Sequence, residues 1–85
     1  MVIEDEGEPK PELEIFQYEN GWGYQIVMNQ KILIYQPTIP ALDTVIPFPD
    51  EVSTRKVGIL VLKRFNAHRN FSVSKQEVLQ CLPSY

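Results

Sequence analysis

Few residues in this chain are able to do covalent or acid–base chemistry. Cys81 is the single cysteine and His68 the single histidine, and together they form the one possible nucleophile–base pair. A reactive thiolate needs an electropositive or helix-N-terminal setting. Cys81 falls instead on the apolar side of a short helix near its end, where a free cysteine packs as a small hydrophobe. His68 sits beside Arg69 in a polar connector. One Cys and one His also exclude an internal disulfide and a cysteine-rich zinc site. Asp50 and Glu51 are adjacent carboxylates, but their place suits a helix start, where the dipole favours negative charge. Gly21-Trp22-Gly23 has neither the strand–glycine–helix context nor the lysine of a phosphate loop. No acid, base and nucleophile support one another, so the chain reads as non-enzymatic, with no catalytic residue, metal or cofactor implied.

The aromatic residues are the more informative group. Phe16, Tyr18, Trp22, Tyr24 and Tyr35 concentrate in one stretch of 20 residues. A pocket framed by Trp22, Tyr24, Tyr35 and Gln36, beside the corner made by Pro37 and Pro40, suits a small polar ligand or a peptide, because it sets a few polar groups in an aromatic surround. Aromatics on a sheet face also stack nucleobases, so single-stranded nucleic acid is a further candidate. The electrostatics weaken it. Glu4, Asp5, Glu6, Glu8, Glu12 and Glu14 against Lys10 leave the first 14 residues at −5, and the net charge of the whole is −3. The rest is mildly basic, with Arg55, Lys56, Lys63, Arg64 and Arg69 all in or just after one long helix rather than in the strands.

These residues are positioned by a small set of elements. Eighty-five residues, 44% of them hydrophobic, make one domain near the lower size for an independent core. No run approaches the ~18 apolar residues of a membrane span. Residues 1–12 are acidic, aperiodic and proline-containing, which predicts a flexible leader; residues 13–85 form the single domain. Leu13–Tyr18 reads as a first strand, with Asn20-Gly21 as a hairpin cue because both residues tolerate positive φ. Trp22–Met28 is a second strand, with Trp22, Tyr24, Ile26 and Met28 on one face. A two-residue Asn29-Gln30 turn leads to a third strand, Lys31–Gln36, and sets Tyr24 opposite Tyr35 and Ile26 opposite Leu33. Residues 37–49 hold four of the seven prolines and form a crossover, whose Leu42, Val45, Ile46 and Phe48 should lie against the body.

Asp50 is placed to cap a helix over about 51–66, or Ser53 one that starts later, and in it Val57, Leu60, Val61 and Phe65 make one buried stripe. Gly58 flanks that stripe and suits close approach to a strand. Val52 and Ile59, seven apart, form a second apolar seam on the opposite side and need a cover. Ser74-Lys75-Gln76-Glu77 is a capping box that starts a short helix over about 75–82, ended by Pro83. The expected fold is therefore α+β: an antiparallel sheet of about three strands packed on one long helix, with a short C-terminal helix. The function expected with it is an interaction domain, joining a protein partner or a second copy through the sheet or through Val52 and Ile59.

Three strings carry a family resemblance. They are Gly21-Trp22-Gly23-Tyr24-Gln25-Ile26, Ile34-Tyr35-Gln36-Pro37-Thr38-Ile39-Pro40-Ala41, and the Phe48–Phe65 segment with Lys56-Val57-Gly58 and Leu60-Val61-Leu62; Ser72-Val73-Ser74 leading to Glu77 joins them. Together they resemble the small bacterial domain-of-unknown-function family 4907 over roughly residues 14–82. The Gln-Pro-x-Ile-Pro-Ala piece is the distinctive one. Departures are Tyr35 in place of an expected His, Gln30 in place of a turn Gly, Thr54 in place of a helix Ala, and Asn70-Phe71 in place of a proline-rich approach to the last helix. The resemblance implies a cell-envelope protein without known activity, periplasmic or membrane-tethered if a signal has been removed, and otherwise cytoplasmic. The acidic leader would then suit a spacer between an anchor and the body.

Overall fold

A computed structural model describes residues 10–68 and 70–83. Most of the expected leader, residues 1–9, lies outside them. The element order is β1 (Glu12–Tyr18), β2 (Gly21–Met28), β3 (Lys31–Gln36), α1 (Glu51–Asn66) and α2 (Lys75–Cys81). The strands form one antiparallel sheet in the order β1-β2-β3, and the fold is α+β as the alternation and helical spacing indicate.

The β1–β2 connection is a tight turn at Glu19-Asn20, with Tyr18 paired to Gly21. Positive φ falls on Glu19, at 55°, and on no glycine among the described residues. The Asn20-Gly21 cue therefore marks the hairpin but is out of phase by one residue. Gly21 belongs to β2, where it is buried. The second turn uses Asn29 and Gln30, both left-handed at φ 55° and 67°, the conformation in which a glycine is usual.

The β2–β3 register differs from the simple hairpin pairing. It starts with Met28 opposite Lys31 and Val27 opposite Ile32, then shifts, so that Ile26 faces Ile34 and Tyr24 faces Gln36. Leu33 is left over as a bulge. One inserted residue reverses which face the rest of β3 presents, and Tyr35 therefore pairs with Gln25 instead of Tyr24.

α1 covers the inner face of the sheet. Tyr24, Ile26, Ile39, Phe48, Val57, Val61 and Val78 are the buried core, with Leu13, Ile15, Trp22 and Ile34 packed around it. Within the helix stripe Val57 and Val61 are fully buried, whereas Leu60 and Phe65 are only half-buried. The remainder of the buried face is Ser53, Thr54 and Gly58. The two hydroxyls tolerate burial because they are satisfied locally: Ser53 Oγ donates to Asp50 Oδ1 at 2.7 Å and Thr54 Oγ1 to the Asp50 carbonyl at 2.6 Å. The same Ser53 hydrogen bonds, through hydroxyl and amide, hold the Asp50 carboxyl below its ordinary range. Gly58 lets α1 approach β1, since a Cβ there would lie 2.6 Å from Leu13 Cδ1.

The crossover is only partly seated. Phe48 and Ile39 are buried and Leu42 packs on the core, but Val45 and Ile46 are exposed. The seating is done by the backbone. Trp22 N–H donates to the Phe48 carbonyl at 3.0 Å and Phe48 N–H to the Trp22 carbonyl at 2.8 Å. This pairing extends the sheet where β3 has already ended.

α2 is held by the capping box that its sequence announces. Glu77 N–H donates to Ser74 Oγ at 3.1 Å and Ser74 N–H to Glu77 Oε1 at 2.9 Å. Arg64 of α1 grips the same carboxylate, donating to Oε1 at 3.0 Å and also to Oε2, and reaches the Ser72 carbonyl at 2.8 Å. Arg64 first, then the Ser74 amide, brings the Glu77 pKa down to about 2 from 4.5. The folded value lies below the unfolded one, so this contribution is complete above pH 4.5 and is lost as pH falls from there toward 2. Urea midpoints followed by circular dichroism should show the parent protein more stable than Glu77→Gln at pH 6 and the two converging near pH 2. A gap that persists at pH 2 would separate the carboxylate from this acid dependence.

Candidate functional site

The four residues expected to frame a pocket do not share one face. Trp22 is half-buried against the core and spends its backbone on Phe48. Tyr35, turned outward by the Leu33 bulge, is 55% exposed. It stacks on Phe16 of β1, with ring centroids 5.5 Å apart and planes within 10°. The intervening position on that face is Gly23, paired with Phe16, and the missing side chain leaves room for the two rings to meet. Tyr24 and Gln36, paired across β2 and β3, do come together at one cavity.

That cavity lies between the inner end of the sheet, the Pro40-Ala41 corner and the connector that precedes α2. Besides Tyr24 and Gln36 its walls include Ile34, Ala41, Phe71 and Val73. Each wall has a local cause. Pro37 and Pro40 end the ladder, and Ala41 turns the chain in the left-handed region at φ 65°. Phe71 is set by an edge-to-face contact with Phe65 at the end of α1, centroids 5.6 Å apart. Arg64, by holding the Ser72 carbonyl, fixes the connector against the helix.

Three polar side chains line this wall, Tyr24, Gln36 and Ser72, and the Ser72 hydroxyl is committed to Asn70 Oδ1. Tyr24 is 2% exposed, and its hydroxyl has no hydrogen-bond partner among the described residues. Burial alone pushes its phenol up to about 12. Gln36 Nε2 donates to the Thr38 carbonyl at 2.7 Å, which fixes the amide and leaves Oε1 as an acceptor. Ala41, Phe71 and Val73 had no functional reading in the sequence. The one local hint was Phe71, an apolar residue in an otherwise polar connector.

Val52 and Ile59 stand exposed on the outward side of α1, at 63% and 39%. They line a shallow groove with Glu51, Arg55 and Lys56. The Glu51–Arg55 pair at 3.3 Å is exposed and contributes about 0.3–0.5 kcal/mol as an i,i+4 pair. Cys81 packs against the core, and His68 follows the α1 C-cap at φ 55°, an end position that glycine more often takes. Among the described residues no group of three His, Cys, Asp or Glu is placed to hold a metal ion, and no helix is long and apolar enough to cross a membrane. A family model described as a domain of unknown function, DUF4907, matches residues 14–80. No curated protein and no solved structure matches the chain.

Proposed function

This chain belongs to the DUF4907 family, a domain of unknown function, and from that premise we propose that it is a non-enzymatic interaction domain of the bacterial cell envelope that pairs with a second copy of itself through β3. The observation that carries the reading is the bare edge and outer face of that strand. Ile32, Leu33 and Tyr35 are 57%, 39% and 55% exposed, next to the Phe16–Tyr35 stack. β3 makes no backbone hydrogen bond beyond those to β2 among the described residues. Natural edges are blunted by charge, proline or bulges; Lys31–Gln36 has no proline, one lysine and the Leu33 bulge, set against its exposed apolar residues. The opposite edge, β1, carries Glu12 and Glu14 and would repel its own copy.

Antiparallel pairing of β3 with β3 about a two-fold axis is self-complementary and would join two three-stranded sheets into one. The aromatic outer faces would then be continuous. Protein fits that face better than nucleic acid does, because its flanking charges are acidic and the α1 cations lie on the covered side of the sheet. The envelope address follows the family resemblance and would suit a domain displayed from a surface.

Light scattering coupled to size exclusion, from low to high micromolar protein, tests the pairing. The expected result is a concentration-dependent dimer that Ile32→Lys abolishes, with the thermal midpoints of variant and parent equal at dilutions where both are monomeric. Ile59→Glu should leave association intact. A strict monomer throughout, or a dimer broken by Ile59→Glu and not by Ile32→Lys, overturns the β3 interface.

A further inference from the structure

The cavity at Tyr24 and Gln36 takes Ile34 and Gln36 from β3 but lies on the inner face of the sheet, away from the exposed outer face of that strand. Among the described residues no buried side-chain nitrogen or oxygen lacks a partner, so the Tyr24 hydroxyl, which bonds to none of them, keeps the small exposure of this residue at the cavity. Phenylalanine would fill the same core position beside Phe48, whose ring centroid is 6.0 Å away, but would present no donor to the cavity. The hydroxyl is placed on the cavity wall together with the Gln36 amide, whose Nε2 is already committed to Thr38. One donor and one acceptor thus belong to the same wall. The surrounding wall is aliphatic and aromatic, from Ile34, Val61, Phe71 and Val73. Among the described residues no lysine, arginine, aspartate or glutamate lines it.

From that arrangement we infer that the cavity binds a neutral amide carrying a small apolar group, with Tyr24 Oη donating to the amide oxygen, Gln36 Oε1 accepting from the amide nitrogen, and the apolar group resting against Phe71 and Val73. A free carboxylate or amine is disfavoured, because none of the described wall residues is an ion that could pair with it and desolvating an unpaired charge is expensive. The matching chemistry is an uncharged peptide unit with an aliphatic side chain.

The test is a titration of the full 15N-labelled chain, followed by amide chemical shifts, with N-acetyl-leucinamide as the probe and toluene and zwitterionic leucine as comparisons. N-acetyl-leucinamide should give saturable shifts at the Tyr24, Gln36 and Ser72 amides. Tyr24→Phe should weaken it about tenfold, the worth of one hydrogen bond that the bound state alone makes. The same variant should be as thermally stable as the parent or more so, which separates binding from folding. Leucine should bind more weakly than the amide. Absence of saturable shifts, equal affinity in the parent and Tyr24→Phe, or toluene bound as well as the amide would each overturn the assignment. None of these outcomes depends on the oligomeric state, since Ile32→Lys can serve as the background if the dimer forms.

Discussion

Phe48→Ala is expected to leave the chain without a cooperative fold at 25 °C. Phe48 is wholly buried, and truncating a core phenylalanine costs about 3–5 kcal/mol through lost transfer energy and the cavity left behind. A body of this size holds a total of roughly 3–5 kcal/mol from a single core, so one substitution removes most or all of it. The position is also mechanical. The backbone of Phe48 is what ties the crossover to β2 through its two hydrogen bonds with Trp22. Without the ring to anchor the segment, that pairing should fray. Trp22 fluorescence, the single indole signal, and far-ultraviolet circular dichroism against urea give the readout. Phe48→Leu, which keeps most of the volume, should lose less and still unfold in one transition. An alanine variant that unfolds cooperatively within about 1 kcal/mol of the parent would contradict the core described here.

The elements that could be read from sequence are those whose cause is local. The α1 span and its Asp50 cap, the Ser74–Glu77 capping box, the Asn29-Gln30 turn and the Pro37 stop each depend on residues within a few positions of one another. The long-range facts were not legible in this way. The Leu33 bulge is a product of packing both ends of β3 at once, and no residue type in Lys31–Gln36 announces it. It is nonetheless the feature that sends Tyr35 to the outer face and brings Gln36 to Tyr24. Ile39, buried in place of Val45 and Ile46, depends on how a proline-rich crossover folds back. The wall formed by Phe71 and Val73 depends on the reach of Arg64 across two helices. The candidate site was therefore half visible: Tyr24, Ile34 and Gln36 lie in or beside the aromatic stretch and Pro40 and Ala41 at its proline exit, whereas Phe71, Ser72 and Val73 arrive from 35 or more residues beyond Gln36.

Gly21→Ala should destabilise by about 2–3 kcal/mol, although nothing in the local backbone forbids alanine there. Gly21 has no positive φ, so the substitution taken alone would stiffen the unfolded chain and stabilise by ~0.4–1 kcal/mol. Space decides the sign. A Cβ at Gly21 would stand 2.5 Å from the Phe48 carbonyl oxygen and 2.7 Å from Pro47 Cβ. The oxygen is backbone and the proline ring is rigid, so relief requires the crossover to move away from β2. That movement strains the Trp22–Phe48 pair, each bond of which is worth about 1 kcal/mol net and more if its groups stay buried unpaired. Overpacking of this kind costs 1–3 kcal/mol in well-packed cores. Gly58→Ala is the informative comparison, because there the nearest atom is the end of the flexible Leu13 side chain. A helix interior also gains about 1 kcal/mol from replacing glycine by alanine, so that variant should be close to neutral. Urea midpoints of the two variants, with equal slopes, measure the contrast directly. Equal stability of Gly21→Ala and the parent would mean that the crossover does not press on β2 as closely as Phe48 requires.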